Sequence, residues 1–234
     1  KIIPDVDTFY FAGGEPLLQE EHYKVIKALI EQEKFDTTLS YSTNFSRLKY
    51  KDLDFLDAWS KFDKVQVSVS LDGTHEVAEY VRKGQNWDKT EENIKLFNQK
   101  CPQHKLEFTP CMSVMNAYHL SDLHRYLVEE EYFNPNKIYI IPLHWPQVYK
   151  AQVIPVELKD KIRKKYKEHI EWLEEIGAWD AVGVFETAIE HLFSEDLSNL
   201  FPNFLNHTKL VDEMRGEDFF KVFPEYEFAR EMVM

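Results

Sequence analysis

Cysteine is nearly absent: Cys101 and Cys111 are the only two in 234 residues. Two thiols exclude a disulfide framework, and a zinc site or iron-sulfur cluster built from this chain alone would lack thiolates. No metal ligand set is therefore expected in this chain, and any metal must be held elsewhere. Positive charge is also scarce, with 28 Lys and Arg against 41 Asp and Glu and a net charge of -13. An extended phosphate backbone is repelled by that balance, which argues against nucleic acid as a partner. No apolar run approaches the roughly 20 residues needed to span a bilayer, and no charged start followed by a short apolar stretch suggests a signal peptide. A soluble, cytoplasmic protein without a membrane partner is expected. Internal repeats, low-complexity tracts and glycine-serine linkers are missing too, leaving little support for a second independently folded domain.

What is present is a chain that is 44% hydrophobic and long enough to bury a substantial core. Strand character recurs at Val6 to Ala12, Thr37 to Ser42, Val65 to Leu71, Leu106 to Met115 and Lys137 to Ile141. Between strands, Gln19 to Glu33 gathers Tyr23, Ile26, Leu29 and Ile30 on one helical face, and Trp87 to Lys100 does the same with Ile94 and Phe97. Alternating strand and helix predicts parallel pairing with right-handed crossovers. From Pro155 onward the pattern becomes long helices: a lysine-rich amphipathic run to Ile176, then Val182 to Phe193 and Asn203 to Arg215. The chain starts at Lys1 rather than methionine, with a strand almost at once, as a chain cut inside a domain would.

Buried parallel strands usually read as continuous apolar runs. Here Val65, Val67, Val69 and Leu71 alternate with Gln66, Ser68, Ser70 and Asp72. The same alternation recurs at Thr38, Ser40, Ser42 and Asn44, and again at Glu107, Thr109, Cys111 and Ser113. A shared polar cavity accounts for all three strands, and a curved or incomplete barrel would place Asn44, Asp72 and the residues after Met115 at the strand carboxyl ends, where α/β barrels do chemistry. The sharpest local signal lies on that face: Phe11-Ala12-Gly13-Gly14-Glu15-Pro16, between the first strand and the first helix. Adjacent glycines permit positive φ and close approach of a ligand to the backbone, and Pro16 keeps Glu15 out of helical geometry. Exposed carbonyls and a carboxylate there suit an ammonium group; a plain strand-to-helix turn is the competing reading.

Gly13-Gly14-Glu15-Pro16 is similar to the turn with which radical SAM enzymes bind the methionyl amine of S-adenosylmethionine. Ser42-Thr43-Asn44, Ser68-Val69-Ser70-Leu71-Asp72-Gly73 and Tyr80-Val81-Arg82-Lys83-Gly84 with Asn86-Trp87 follow in the order that superfamily shows. Within it, Asn86-Trp87-Asp88, Pro142 to Lys150, Ile154-Pro155 with Leu158-Lys159, and Asp212 to Arg215 most resemble twitch-domain-containing radical SAM proteins. The resemblance implies an incomplete (β/α)6 TIM-like barrel that lacks its first strand, here over residues 1–150, and the helical pattern adds a C-terminal extension over 151–234 that is expected to pack on it. It also implies S-adenosylmethionine as cofactor and a 4Fe-4S cluster, whose CxxxCxxC loop is absent here and is expected upstream of Lys1.

By resemblance, Gly13, Gly14, Glu15 and Pro16 hold the amine, Ser70 and Arg82 the carboxylate, Asp72 or Asn44 the ribose hydroxyls, and Asn116 lies near the adenine or ribose. Arg82 has the fixed fork that suits a carboxylate, and Ser70 shares its polar face. The implied reaction is reductive cleavage of S-adenosylmethionine to a 5'-deoxyadenosyl radical that takes hydrogen from an unidentified small or peptidic substrate, with an electron donor as partner. This chain alone is expected to be inactive. Two other classes compete: a cluster-free module binding a nucleoside or peptide, and an unrelated barrel hydrolase or lyase using Glu15, Glu107 and Asp72 for acid-base work.

Overall fold

The computed structural model describes residues 6–232. Strand β1 (Thr8–Phe11) lies parallel to β2 (Thr38–Thr43), with Tyr10 opposite Ser40. A small antiparallel pair, β3 (Lys49–Tyr50) and β4 (Leu53–Asp54), sits in the next crossover. Strand β5 (Val65–Val69) then adds to β2, and β6 (Lys105–Phe108) adds to β5, so the parallel sheet runs β1-β2-β5-β6.

The arc continues through a broken strand. The single strand expected over 106–115 is split, and its second part, β7 (Cys111–Met112), pairs with β8 (Ile141–Pro142). Pro110 is the cause, because it has no N–H to give to a ladder. On either side the bonding keeps one direction, Tyr139 N–H to the Phe108 carbonyl and Ile141 N–H to that of Pro110. Five strand directions thus form an open arc, and among the described residues no further strand pairs with β1 or β8. The last strand is also shorter and later than the 137–141 segment its composition predicts, because only Ile138 of its first part makes an isolated bridge, to Phe108.

One side of the sheet is apolar and packs on helices. Leu39, Tyr41, Val65, Val67 and Val69 are buried there, against Ile26 and Leu29 of α1 (Glu20–Glu31) and the short α2 (Phe55–Trp59). Tyr41 packs on both His22 of α1 and Trp59 of α2. Helices α3 (His75–Val81) and α4 (Trp87–Lys100) complete the next crossover, and α5 (Leu120–Glu129) the last. Asn86 starts α4 by accepting the Lys89 N–H. Each large apolar side chain buried in this layer contributes about 1.5–3 kcal/mol.

The remaining chain is helical: α6 (Val156–Glu175), α7 (Trp179–Leu192), α8 (Phe201–Arg215) and α9 (Phe219–Val222), then a 3-10 segment over Pro224–Met232. It docks on the barrel through several contacts. His124 of α5 meets His169 of α6 at 2.9 Å, Tyr80 of α3 donates to Asp212 of α8 at 2.7 Å, and Tyr226 donates to the Val114 carbonyl. No helix among the described residues is long and apolar enough to cross a membrane.

Candidate functional site

The opposite side of the sheet carries polar rows set by register. Tyr10, Ser40, Gln66 and Lys105 form one row; Ser42, Ser68 and Glu107 form the next, where the Ser68 hydroxyl donates to Glu107 at 3.3 Å. Ser40, Ser42, Gln66, Ser68 and Glu107 are half-buried while their chain neighbours are buried, as strand alternation requires. Asn44, Ser70 and Asp72 extend the same periodicity to the strand carboxyl ends.

At the end of β1, Gly13 and Gly14 both have positive φ, 82° and 58°, and both are exposed. The Gly13 carbonyl accepts from the Gln19 side chain at 3.0 Å, and a Cβ on Gly14 would stand 2.9 Å from that same nitrogen. The Gly14 carbonyl has no hydrogen-bond partner among the described residues. Glu15 is a brace: one carboxylate oxygen accepts from the Leu17 N–H and the Thr43 hydroxyl (2.5 Å), the other from the Asn44 N–H (2.8 Å). Three of its four acceptor positions are thereby used, leaving one for a ligand. Pro16 is buried as the first residue of the turn that follows. Asn44 presents its side-chain oxygen to the Ser46 N–H, so its carbonyl end serves a turn.

The second centre is Asp72, which is almost wholly buried. One of its oxygens accepts the Cys111 N–H at 2.6 Å and the other accepts Arg82 Nε at 2.6 Å. The two terminal nitrogens of Arg82 have no protein partner among the described residues, and its side chain stays partly exposed. The Ser70 hydroxyl likewise has none, while its N–H is held by the Thr43 carbonyl. Asn116 is fully buried and saturated: its oxygen accepts from the Ser113 N–H and hydroxyl, and its nitrogen donates to the carbonyls of Asp72 and Cys111. It shapes the wall beside Asp72 and has no hydrogen-bonding group left for a ligand.

A cleft of about 250 Å³ opens beside Asp72, bounded by Cys111, Ser113 and Met115 at the strand ends and by Val211 and Arg215 of α8. The Cys111 thiol is raised above its ordinary pKa, first by burial and then by the Asp72 charge. Tyr149 of the same cleft is raised by burial, with Arg215 acting against it. Thr43, Tyr149 and Arg215 also contribute, although none was given a role. Each stands within a segment the resemblance covers, Ser42-Thr43-Asn44, Pro142 to Lys150 and Asp212 to Arg215, and the last two reach the cleft by packing.

Two histidines, His144 and His75, stand apart from these centres. His144 lies edge-on to His191 of α7, which burial holds below the ordinary histidine range, and Trp145 is largely exposed. His75 stacks on Trp87. The three carboxylates of the hydrolytic reading do not offer an open acid-base pair, since Glu15 and Asp72 are tied as described and Glu107 takes the Ser68 hydroxyl. The cysteines do not fit an iron-sulfur cluster: Cys101 is buried and donates to the Leu56 carbonyl, Cys111 stands alone on its strand, and no group of three potential metal ligands occurs among the described residues.

The family model of the radical SAM superfamily matches residues 1–125. No curated protein matches the chain. Among solved structures, native anSMEcpe with bound AdoMet and Cp18Cys peptide is similar, with a TM-score of 0.51 and 20% identity over 74% of this chain and 48% of that one. Native anSMEcpe with bound AdoMet is similar at a TM-score of 0.50 and 19% identity, over 75% of this chain and 48% of that one. The chain thus spans about half the length of the solved chains it resembles, and the likeness is one of fold.

Proposed function

We propose that this chain, which belongs to the radical SAM superfamily, forms the S-adenosylmethionine-binding face of an enzyme that generates a 5'-deoxyadenosyl radical. The observation that carries the reading is the Asp72 centre, where a buried carboxylate fixes Arg82 by Nε and leaves the two terminal nitrogens of its fork without protein partners. That geometry suits bidentate capture of a free carboxylate. The unpartnered Gly14 carbonyl and the remaining acceptor position of Glu15 suit the methionyl ammonium. Asp72 retains acceptor positions for ribose hydroxyls, and the adjoining cleft takes the base. Bound S-adenosylmethionine supplies, on reductive cleavage, the radical that abstracts hydrogen from a substrate. This chain's part is to orient the amine, carboxylate and nucleoside on one rigid strand-end face; its two cysteines hold no cluster, so alone it binds without cleaving. A small polar or peptidic substrate and a protein electron donor complete the proposal for the whole enzyme.

Titration calorimetry of this chain with S-adenosylmethionine tests it. Weak binding, with a dissociation constant of about 0.1–1 mM, is expected without a chelating iron. Gly14→Val should remove it, because the branched side chain meets Gln19 at a positive φ. No heat in the wild-type chain, or equal affinity in a folded Gly14→Val variant, would sink the proposal.

A further inference from the structure

The helical tail reaches the same cleft. Val211 and Arg215 line it from α8, together with Asp72 and Cys111, and Met115, Leu143 and Tyr149 add apolar surface. The tail is fixed there by contacts to one short segment of the barrel. Tyr80 donates to Asp212 at 2.7 Å, Arg215 donates to the Tyr80 carbonyl at 3.4 Å, and Lys83 pairs with Glu217. Asp212 also accepts the Phe219 N–H at 2.7 Å, which locks α9 to α8. Arg82, the partner of Asp72, lies within that same segment, between Tyr80 and Lys83.

We propose that α8 is the outer wall of the nucleoside pocket, with Val211 packing on the base and Arg215 donating to a ring nitrogen. The inference rests on the S-adenosylmethionine reading above and deepens it by making the tail part of the binding site. Three observations support it. The cleft is about 250 Å³, just below the roughly 300–1,000 Å³ of small-molecule sites, which suits a nucleoside without the methionyl arm. Its lining combines polar groups, among them Asp72, Ser113 and Arg215, with the apolar surface of Met115, Leu143 and Val211, the mixture a ribose, a flat base and a base acceptor require. Of Arg215's nitrogens only Nη1 is engaged, with the Tyr80 carbonyl and, at 3.8 Å, with Glu217, so the other N–H groups have no protein acceptor among the described residues.

The test uses 5'-methylthioadenosine, which carries the nucleoside without amine or carboxylate, titrated into the whole chain and followed by saturation-transfer NMR. Thermal melts check the fold of Val211→Trp and Arg215→Ala. The proposal expects the indole of Val211→Trp to fill the cleft and weaken binding by about tenfold or more, and Arg215→Ala to weaken it by about threefold to tenfold. It also expects cross-relaxation between the Val211 methyls and the purine protons. Binding that survives in both folded variants, without such cross-relaxation, overturns the role of the tail and leaves the strand-end reading standing. No binding of 5'-methylthioadenosine to the wild-type chain overturns the nucleoside pocket alone, and the calorimetry with S-adenosylmethionine decides the strand-end reading separately. Should Val211→Trp fail to fold, Arg215→Ala and the methyl contact decide.

Discussion

The two sides of the sheet treat polar groups in opposite ways. On the strand-end face, charged and hydroxyl groups sit half-buried, paired through one edge and open at the other: Arg82 is bound by Nε alone, and Glu15 keeps one acceptor position. Behind the sheet and under the tail, polar rings are sealed among aromatics. His22 packs on Phe11, Tyr41 and Phe55; His124 and His169 pack on each other and on Phe185. The first arrangement can exchange a water for a ligand. The second can only hold shape, and its polar groups must stay neutral to do so.

Acid should expose that difference most strongly. Burial lowers His22 and His124 to about 4, and lowers His169 to about 3 with help from the nearby charges of Arg125 and Lys165. All three folded values lie below the ordinary 6.5, so the unfolded chain binds more protons once pH falls under that value. Stability is therefore complete above about pH 6.5 and declines as pH drops toward 4, each histidine contributing at most about 1.4 kcal/mol per pH unit. Urea unfolding at pH 7.5 and pH 5 should show a clearly lower midpoint at the acid value, with the slope unchanged. Equal midpoints would mean that the sealed rings are not sealed.

On the open face the largest effect should follow Asp72→Ala. The change strands the half-buried Cys111 N–H and leaves Arg82 without its partner, at a cost of about 2–4 kcal/mol. Asp72→Asn keeps an acceptor for the Cys111 N–H and should cost less, yet it removes the charge that orients Arg82. Denaturant midpoints for the two variants check the order. If Asn proves as damaging as Ala, the ion pair outweighs the backbone contact and the face is more rigid than its partial exposure suggests.

How far each region could be read in advance follows from the range of its contacts. The polar alternation at Ser40, Ser42, Gln66, Ser68 and Glu107 is local, so period two alone located the open face, and parallel register then aligned the rows. The glycine turn was legible for the same reason, since positive φ at Gly13 and Gly14 is what two adjacent glycines permit. Pro110 carried a warning of a broken strand in its missing N–H, though the strand pattern around it masked the break. Asn116 illustrates a different loss: a motif position marks where a residue stands, but only the three-dimensional partners reveal that all its hydrogen bonds are spent inside the protein. The resemblance singled out Asp212 to Arg215 without a role, and their place at the cleft was not legible, because Tyr80 and Asp212 are 132 residues apart and no periodicity connects them.

That long-range bond gives the smallest and most discriminating prediction. The Tyr80 hydroxyl is kept protonated, first by burial and then by the Asp212 carboxylate that accepts from it, so it donates throughout the accessible pH range. Tyr80→Phe removes this one hydrogen bond and keeps the ring packed on Phe219 and Phe223. Asp212 still accepts the Phe219 N–H, so it is not left stranded, and the global cost should be about 1 kcal/mol. Locally the effect should exceed that modest figure's reach, because the lost bond is a direct tie between α3 and the helix facing the cleft. Amide hydrogen exchange should quicken along Leu210 to Gly216 and Tyr80 to Gly84 while β2 and β5 remain protected. Exchange that rises evenly across the chain would instead make the open face and the tail one cooperative unit, and the seam between them would have no independent role in the site.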